Sequence, residues 1–226
     1  MAVANEVFTG PQVKICGLTR VEEARACVEV GADAIGCVFY PRSPRHVSDQ
    51  QARDIFRSLP ATVCSVGVFV NDDFSTIMAK VERCGLKAVQ LHGQESVELV
   101  DNLQNQGLLV IKAVFVKGAP SLELIGSFRA SAYLVECAGG RLPGGNALAW
   151  EWRTAVGLSE KEPMILAGGL SPDNVSQAIQ EALPDAVDVS SGVEATPGRK
   201  DMDKVKRLLE AVALTDCGRK PRRIFQ

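Results

Sequence analysis

The sequence is poor in histidine, in aromatic residues and in net charge. Its 226 residues include two histidines, and 5% of the residues are aromatic. The 25 lysines and arginines nearly balance 27 aspartates and glutamates, so the formal net charge is −2. Such a chain has no overall electrostatic attraction to nucleic acid, and we expect no nucleic-acid partner.

The cysteines show neither the spacing of a disulfide framework nor that of a zinc site. There are seven of them, an odd number, and none belongs to a CxxC pair. The sequence also lacks an apolar run long enough to span a membrane and a basic amino-terminal region typical of a signal peptide. We therefore expect no membrane association and a reducing, cytoplasmic location.

Short apolar runs rich in β-branched residues alternate with amphipathic segments along the chain. The runs predict strands at residues 13–16, 34–39, 63–69, 88–91, 108–114, 133–135, 165–167 and 186–189. Helices are predicted at residues 19–30, 48–59, 72–84, 95–106 and 201–212. Strands that alternate with helices require a parallel sheet with right-handed crossovers.

Local signals at the segment ends support this order of elements. Thr19 and Glu22 have the spacing of a capping box, Asp72 or Asp73 can cap the third helix, and Gly85 can end it. The turn after the first strand, at Cys16, lacks the GxGxxG of a doubly wound dinucleotide fold. Eight units of this length instead predict an α/β fold of the (βα)8 TIM-barrel type.

We expect the whole chain, residues 1–226, to form a single barrel domain. A short amino-terminal extension would run to about residue 11, and a basic carboxyl-terminal tail would cover about residues 216–226. A short charged terminus is expected to be solvated or frayed.

Two successive strand exits are rich in small residues. The seventh predicted strand stops at Gly168 and Gly169 before a helix-start signal at Ser171-Pro172, and the eighth stops at Ser190, Ser191 and Gly192. Such exits often form simple turns, but two in tandem at the end of a βα repeat favour a phosphate site. Backbone N–H groups can approach an anion there without obstruction, and barrels place phosphate sites after strands seven and eight.

The other predicted strands deliver polar side chains to the same end of the barrel. They supply Cys16, Arg42 and Arg45, Gln90 and His92, Glu136, and Asp188. A thiol, carboxylates, arginines and a phosphate site suit acid–base chemistry on a phosphorylated, anionic small molecule.

Six motifs, in order from about Val13 to Val212, resemble those of the phosphoribosylanthranilate isomerase family of the tryptophan pathway. They are Lys14-Ile-Cys-Gly-Leu-Thr, Phe39-Tyr-Pro-Arg-Ser-Pro-Arg-His-Val, Gly67-Val-Phe-Val-Asn, Val89-Gln-Leu-His-Gly, Leu166-Ala-Gly-Gly-Leu and Asp188-Val-Ser-Ser-Gly-Val-Glu. The resemblance implies a (βα)8 barrel that performs an Amadori rearrangement. N-(5-phosphoribosyl)anthranilate would become 1-(2-carboxyphenylamino)-1-deoxyribulose 5-phosphate, and no metal or organic cofactor is implied.

The resemblance also implies roles for individual residues. Cys16 matches the family's general base, which removes a proton from the sugar C2, and nearby positive charge would favour its thiolate. Arg45 matches an arginine that clamps the anthranilate carboxylate, whereas Arg42 is expected to be a solvated loop charge.

Two motif positions stay open between alternatives. His92, with Gln90, either contacts the ligand or is a hydrogen-bonded structural histidine. Asp188 either orients a substrate hydroxyl or accepts hydrogen bonds from loop N–H groups.

The sequence departs from the family around its general acid, an aspartate at the end of strand six. Glu136 stands at the matching position, and Asn146-Ala147 replaces part of a glycine-rich loop. The glutamate carboxyl lies one methylene farther out, and a displacement of about 1 Å can cost about a hundredfold in rate. We favour an active enzyme with Glu136 as the acid. The alternative is a catalytically impaired or regulatory barrel that binds a phosphorylated sugar.

The sequence disfavours one related enzyme and leaves the oligomeric state and the substrate range open. A pentose-phosphate epimerase is disfavoured, because its metal would need histidines from several strands and the chain has His46 and His92 alone. The sequence leaves undecided whether the protein is a monomer or a homodimer, and whether it accepts a second aminoaldose.

Overall fold

A computed structural model describes residues 10–137 and 150–226. Eight parallel strands form a closed barrel in which each strand pairs with the next and the eighth pairs with the first. The strands are β1 (Gln12–Cys16), β2 (Ala34–Val38), β3 (Cys64–Phe69), β4 (Ala88–Leu91), β5 (Leu109–Phe115), β6 (Ala132–Glu136), β7 (Met164–Leu166) and β8 (Ala186–Val189). The predicted (βα)8 fold is confirmed.

Helices lie between the strands. They are α1 (Val21–Glu29), α2 (Asp49–Arg57), α3 (Phe74–Cys84), α4 (Val97–Gln104), α5 (Val156–Ser159), α6 (Val175–Ala182) and α7 (Met202–Leu214). A 3-10 helix, Leu122–Ser127, stands between β5 and β6, and others cover Trp152–Ala155 and Ser191–Val193. A hairpin that the sequence analysis did not predict, β9 (Glu194–Thr196) and β10 (Arg199–Lys200), precedes α7.

Two of the predicted helix ends are confirmed. Asp73 Oδ1 accepts a hydrogen bond of 2.7 Å from the Thr76 N–H at the start of α3. Gly85, with φ of 72°, ends that helix in the left-handed conformation that glycine adopts without strain.

Two predicted helix starts are wrong. Thr19 forms no capping box, because α1 begins at Val21 and the Thr19 hydroxyl donates to the Gly198 carbonyl at 2.7 Å instead. After β7, a turn precedes α6, in which Asn174 Oδ1 accepts from the Ser171 N–H at 2.8 Å. In the first case the side chain that could cap the helix is held by another partner, and in the second the backbone of Ser171 belongs to a turn that precedes the helix.

Strand alternation produces two apolar layers. Inward residues such as Ala34, Val66 and Ile111 fill the barrel, while outward residues such as Ile35 and Val89 pack in the layer between sheet and helices. This packing makes the barrel a rigid frame for whatever its strand ends carry. None of the helices in the described parts of the chain is long and apolar enough to cross a membrane.

The carboxyl-terminal tail is not frayed, so that expectation is wrong. Ile224 and Phe225 are 6% and 4% exposed and belong to the cluster inside the barrel, at its amino end. The side chain of Gln12, at the start of β1, accepts from the N–H groups of both residues at 2.6 and 2.9 Å. It also donates to the Phe225 carbonyl at 2.7 Å.

Two aspartates on the barrel explain why the basic tail docks. The fully buried Asp185 pairs with Arg219 at 2.9 Å and with Arg222 at 3.2 Å. Asp33 pairs with Arg223 at 2.9 Å. The tail's positive charges are therefore matched by carboxylates at the base of the barrel, which the linear sequence does not reveal.

Candidate active site

A cavity opens at the carboxyl ends of the barrel strands. Its volume, which includes space open to solvent, is about 770 Å³. Every residue that the sequence analysis assigned to the site lines it: Cys16, Arg45, Gln90, His92, Glu136, Gly168, Gly169, Asp188, Ser190, Ser191 and Gly192. The fold brings these residues together, and their individual roles stay predictions.

The Cys16 thiol lies beside a buried ion pair. Lys14 and Cys16 are two residues apart on β1, so both project from the same face of the strand. Lys14 Nζ donates to Asp188 Oδ1, on the neighbouring β8, at 2.8 Å. Asp188 thus pairs with the Lys14 ammonium. This partner differs from the two that the sequence analysis considered, a substrate hydroxyl and loop N–H groups.

Burial and charge act on this thiol in opposite directions. Burial raises the pKa of Cys16 above its usual value, and the Lys14 ammonium, the largest effect that lowers this pKa, offsets burial only in part. Burial by itself lowers the pKa of Lys14, but Asp188 and Cys16 more than offset this and raise it to about 12. The lysine is therefore charged across the physiological pH range.

Arg45 reaches the cavity while held by a carboxylate of the β9–β10 hairpin. Its Nε and Nη2 donate to the two oxygens of Glu194 at 2.8 and 2.7 Å, a bidentate pair. Lys200 Nζ donates to the same carboxylate at 3.0 Å. Burial raises the pKa of Glu194, but Arg45 and Lys200 outweigh it and hold the pKa below its usual value.

Glu136 is the end of a hydrogen-bonded chain of side chains. Gln90 Nε2 lies 2.9 Å from His92 Nδ1, and His92 Nε2 lies 3.1 Å from Glu136 Oε1. With the Gln90 amide donating, Nε2 of the imidazole carries the hydrogen and donates to Glu136. Both ring nitrogens of His92 are therefore taken by protein groups, which favours the structural role over ligand contact.

The two small-residue loops touch each other. Gly168 and Gly169 have φ of 85° and 68°, a region that glycine adopts at little cost. A side-chain carbon at Gly192 would lie 1.8 Å from the Leu170 carbonyl oxygen, so only glycine fits there. The backbones after β7 and β8 thus converge on one part of the cavity, as a cradle for an anion requires.

Comparison with known proteins identifies the family. Residues 13–211 match the family model described as N-(5'phosphoribosyl)anthranilate (PRA) isomerase. The chain belongs to the phosphoribosylanthranilate isomerase family. The isomerase of Desulfatibacillum aliphaticivorans is 56% identical over 214 residues, which cover 95% of this chain and 98% of that protein.

Solved isomerases share the fold. The enzyme from Thermotoga maritima is 41% identical, with a TM-score of 0.83 over 89% of this chain and 98% of its own. A phosphoribosylanthranilate isomerase in complex with reduced 1-(o-carboxyphenylamino)-1-deoxyribulose 5-phosphate is 40% identical, with a TM-score of 0.80 and the same coverage.

Sequence reasoning missed two buried charged residues beside the cavity. Glu194 is the last residue of a family motif and Lys14 the first residue of the motif around Cys16, and neither motif by itself indicates a role for them. The i, i+2 spacing of Lys14 and Cys16 was the available signal, because it puts an ammonium and a thiol on one face of a strand. The departure at Asn146-Ala147 lies outside the described residues.

Proposed function

We propose that the protein isomerises N-(5'-phosphoribosyl)anthranilate in this cavity, as a tryptophan-biosynthetic enzyme of the cytoplasm whose whole site belongs to one barrel domain. The observation that carries the proposal is the placement of Cys16 and Glu136 in one cavity with the two glycine loops. A base, an acid and a phosphate cradle are the groups that an Amadori rearrangement of a sugar phosphate requires.

Glu136, in its protonated form, would give its proton to the ribose ring oxygen. The C1–O bond then breaks while the anthranilate nitrogen forms a double bond to C1. The His92 N–H occupies Oε1 at 3.1 Å and leaves Oε2 as the oxygen that carries the proton. This arrangement supports glutamate as a working substitute for the family aspartate, and with it the active enzyme over the impaired barrel.

Cys16, as thiolate, would then remove the proton from C2. The electron pair forms a C1–C2 double bond and returns to nitrogen, and the resulting enolamine tautomerises to the ketone. The adjacent Lys14 ammonium supports this role, because a positive charge beside a thiol favours its ionised form.

The anionic ends of the substrate would bind at two places. The loops at Gly168-Gly169 and Ser190–Gly192 offer backbone N–H groups for the phosphate. Arg45 keeps Nη1 without a hydrogen-bond partner among the described residues, so this edge can meet the anthranilate carboxylate. The product analogue bound by the related isomerase carries both a carboxylate and a phosphate.

A turnover assay with phosphoribosylanthranilate generated in situ tests the proposal. We expect the wild-type protein to be active and Glu136→Gln to lose about a hundredfold or more in kcat, because an amide has no acidic proton to transfer. Glu136→Asp should be no better than wild type if the site has adjusted to glutamate.

Glu95→Gln is the matched control. Glu95 is buried to the same 6% exposure as Glu136 but pairs with Lys112 outside the cavity. We expect this variant to keep its kcat. A Glu136→Gln enzyme with wild-type kcat would show that another group protonates the ring oxygen.

A further inference from the structure

Lys14 is a buried cation at the centre of the barrel. Its side chain has no exposure to solvent, and Gly36 on β2 leaves room for it. A side-chain carbon at Gly36 would lie 2.9 Å from Cys16 Sγ and 3.1 Å from Lys14 Nζ. The ammonium and the thiol therefore share the small space above a glycine, where the thiolate of Cys16 favours the charged form of Lys14.

Stability alone does not explain this cation. Removing an ammonium from water costs several kcal/mol, and a buried ion pair often contributes no more than apolar residues of the same volume. The other inward positions in the middle of the barrel are filled by residues such as Ala88, Ile111 and Leu134. The Lys14–Asp188 pair thus interrupts an apolar interior directly beneath Cys16.

Several charged or titratable groups act on Cys16. Lys14 and Lys200 stabilise its thiolate, Asp188 opposes it, and Arg45 and Cys37 interact with it as well. Among these, Lys14 has the largest effect that favours the thiolate. Asp188 keeps the ammonium in place at 2.8 Å.

We infer that Lys14 is a positioning residue of the isomerase reaction, which holds a fixed positive charge against Cys16 so that this thiol can act as a base. The inference rests on the proposed function, in which Cys16 removes the C2 proton. Lys14 acts through Cys16 and Asp188 and is given no contact with the substrate. Its charge is present before the substrate binds, so it costs no reorganisation during the reaction.

Lys14→Met and Lys14→Gln remove the charge, and Gln keeps a hydrogen-bond donor for Asp188. We expect the pH midpoint of Cys16 alkylation by iodoacetamide, followed by peptide mass spectrometry, to rise by about one unit or more in both. At neutral pH kcat should fall about tenfold or more, with KM little changed. Lys14→Arg keeps the charge and should retain the lower midpoint.

Lys112→Met is the matched control. Lys112 is also fully buried and paired with a carboxylate, Glu95 at 2.7 Å, but away from the thiol. The Lys112→Met variant should have a lower melting temperature but an unchanged pH midpoint of Cys16 alkylation. If Lys14→Met does not fold, the comparison of Lys14→Gln with Lys14→Arg still tests the charge, because both keep a hydrogen-bond donor for Asp188 and only arginine is charged.

The outcomes separate this inference from the proposed function. A folded Lys14→Gln protein with an unchanged Cys16 midpoint overturns the inference, even if Cys16→Ala is inactive. An active Cys16→Ala enzyme overturns Cys16 as the base, while a raised midpoint in Lys14→Gln would still establish the electrostatic contact. A raised pH midpoint of Cys16 alkylation together with a lowered kcat in Lys14→Gln supports both the inference on Lys14 and the role of Cys16 as the base.

Discussion

The carboxyl end of the barrel holds a cavity lined by polar side chains, whereas the amino end is filled by the chain's own tail. A glutamine serves each end. At the base, Gln12 uses its amide oxygen and nitrogen on the backbone of Ile224 and Phe225. At the cavity, Gln90 donates to His92, but its oxygen is buried without a partner among residues 10–137 and 150–226.

The amide of Gln12 is satisfied by the protein itself, whereas the oxygen of Gln90 is not, and this difference indicates that the two ends of the barrel serve stability and function respectively. A buried polar group that the protein itself satisfies helps to fix the structure, and one left without a partner costs free energy until a ligand meets it. Contacts at the amino end of the barrel are therefore expected to control the free energy of unfolding. Contacts in the cavity are expected to control the rate of turnover. Variants at each end test whether the two properties are independent.

The largest effect is expected from Cys16→Ala. Loss of the thiol that acts as general base should lower kcat by about 10²–10⁴-fold, because general-base catalysis contributes this much. Binding of a product analogue, measured by calorimetry, and the melting temperature should change little. Wild-type turnover in this variant would remove Cys16 from the mechanism, and a large loss of stability would show that the cavity end also supports the fold.

Phe225→Ala should have the largest effect on stability. Truncation of a buried phenylalanine costs about 3–5 kcal/mol, measured as the free energy of unfolding in denaturant. Its kcat should be unchanged well below the melting temperature. Leu214→Ala, at an apolar residue that is 88% exposed, is the control and should stay within about 0.5 kcal/mol of wild type. A parallel fall in kcat for Phe225→Ala would show that the two ends are coupled.

Arg45→Ala should have an intermediate effect on binding. Loss of charged hydrogen bonds is worth about 1.5–3 kcal/mol, so we expect KM to rise about tenfold to a hundredfold. Steady-state kinetics and titration with a product analogue give this value. If the variant binds the analogue as tightly as wild type, Arg45 serves Glu194 rather than the ligand.

The smallest effect is expected at Asp49, on the flank between the two ends. Hydrogen bonds from Lys80 and Arg83 on α3 lower the pKa of Asp49 and outweigh the opposite effect of burial. Asp49→Asn should lose about 0.2–1 kcal/mol at neutral pH, as expected for ion pairs near the surface. A lowered pKa contributes stability above the usual value near 3.8, and this is lost as pH falls. The difference in stability between the two proteins should therefore begin to shrink near pH 3.8 and vanish once pH falls below the lowered pKa of Asp49.

The sequence predicts elements whose signals are local. The predicted bounds of β4 and β8 match the structure, because short apolar runs end at polar or small residues there. The site residues converge because parallel strands share one carboxyl end. Lys14 and Asp188 are 174 positions apart, and Arg45 and Glu194 are 149 apart, so those partnerships exist only after the barrel closes.

The tail is the clearest failure of sequence reasoning, for a physical reason. A run with Arg219, Arg222 and Arg223 indicates solvent exposure unless carboxylates lie nearby. Asp33 and Asp185 are distant in sequence and become neighbours of the tail only at the base of the barrel.

The docked tail also imposes an order on protein synthesis. Gln12 leaves the ribosome among the first residues of β1, whereas Ile224 and Phe225 follow every strand and α7. Until they emerge, the amide of Gln12 can donate to Asp33, at 3.2 Å, but its oxygen lacks the two N–H groups that it accepts from in the folded protein. This contact therefore joins late residues to early ones. A protein fused directly after Gln226 would be placed against the amino end of the barrel, beside the buried Phe225.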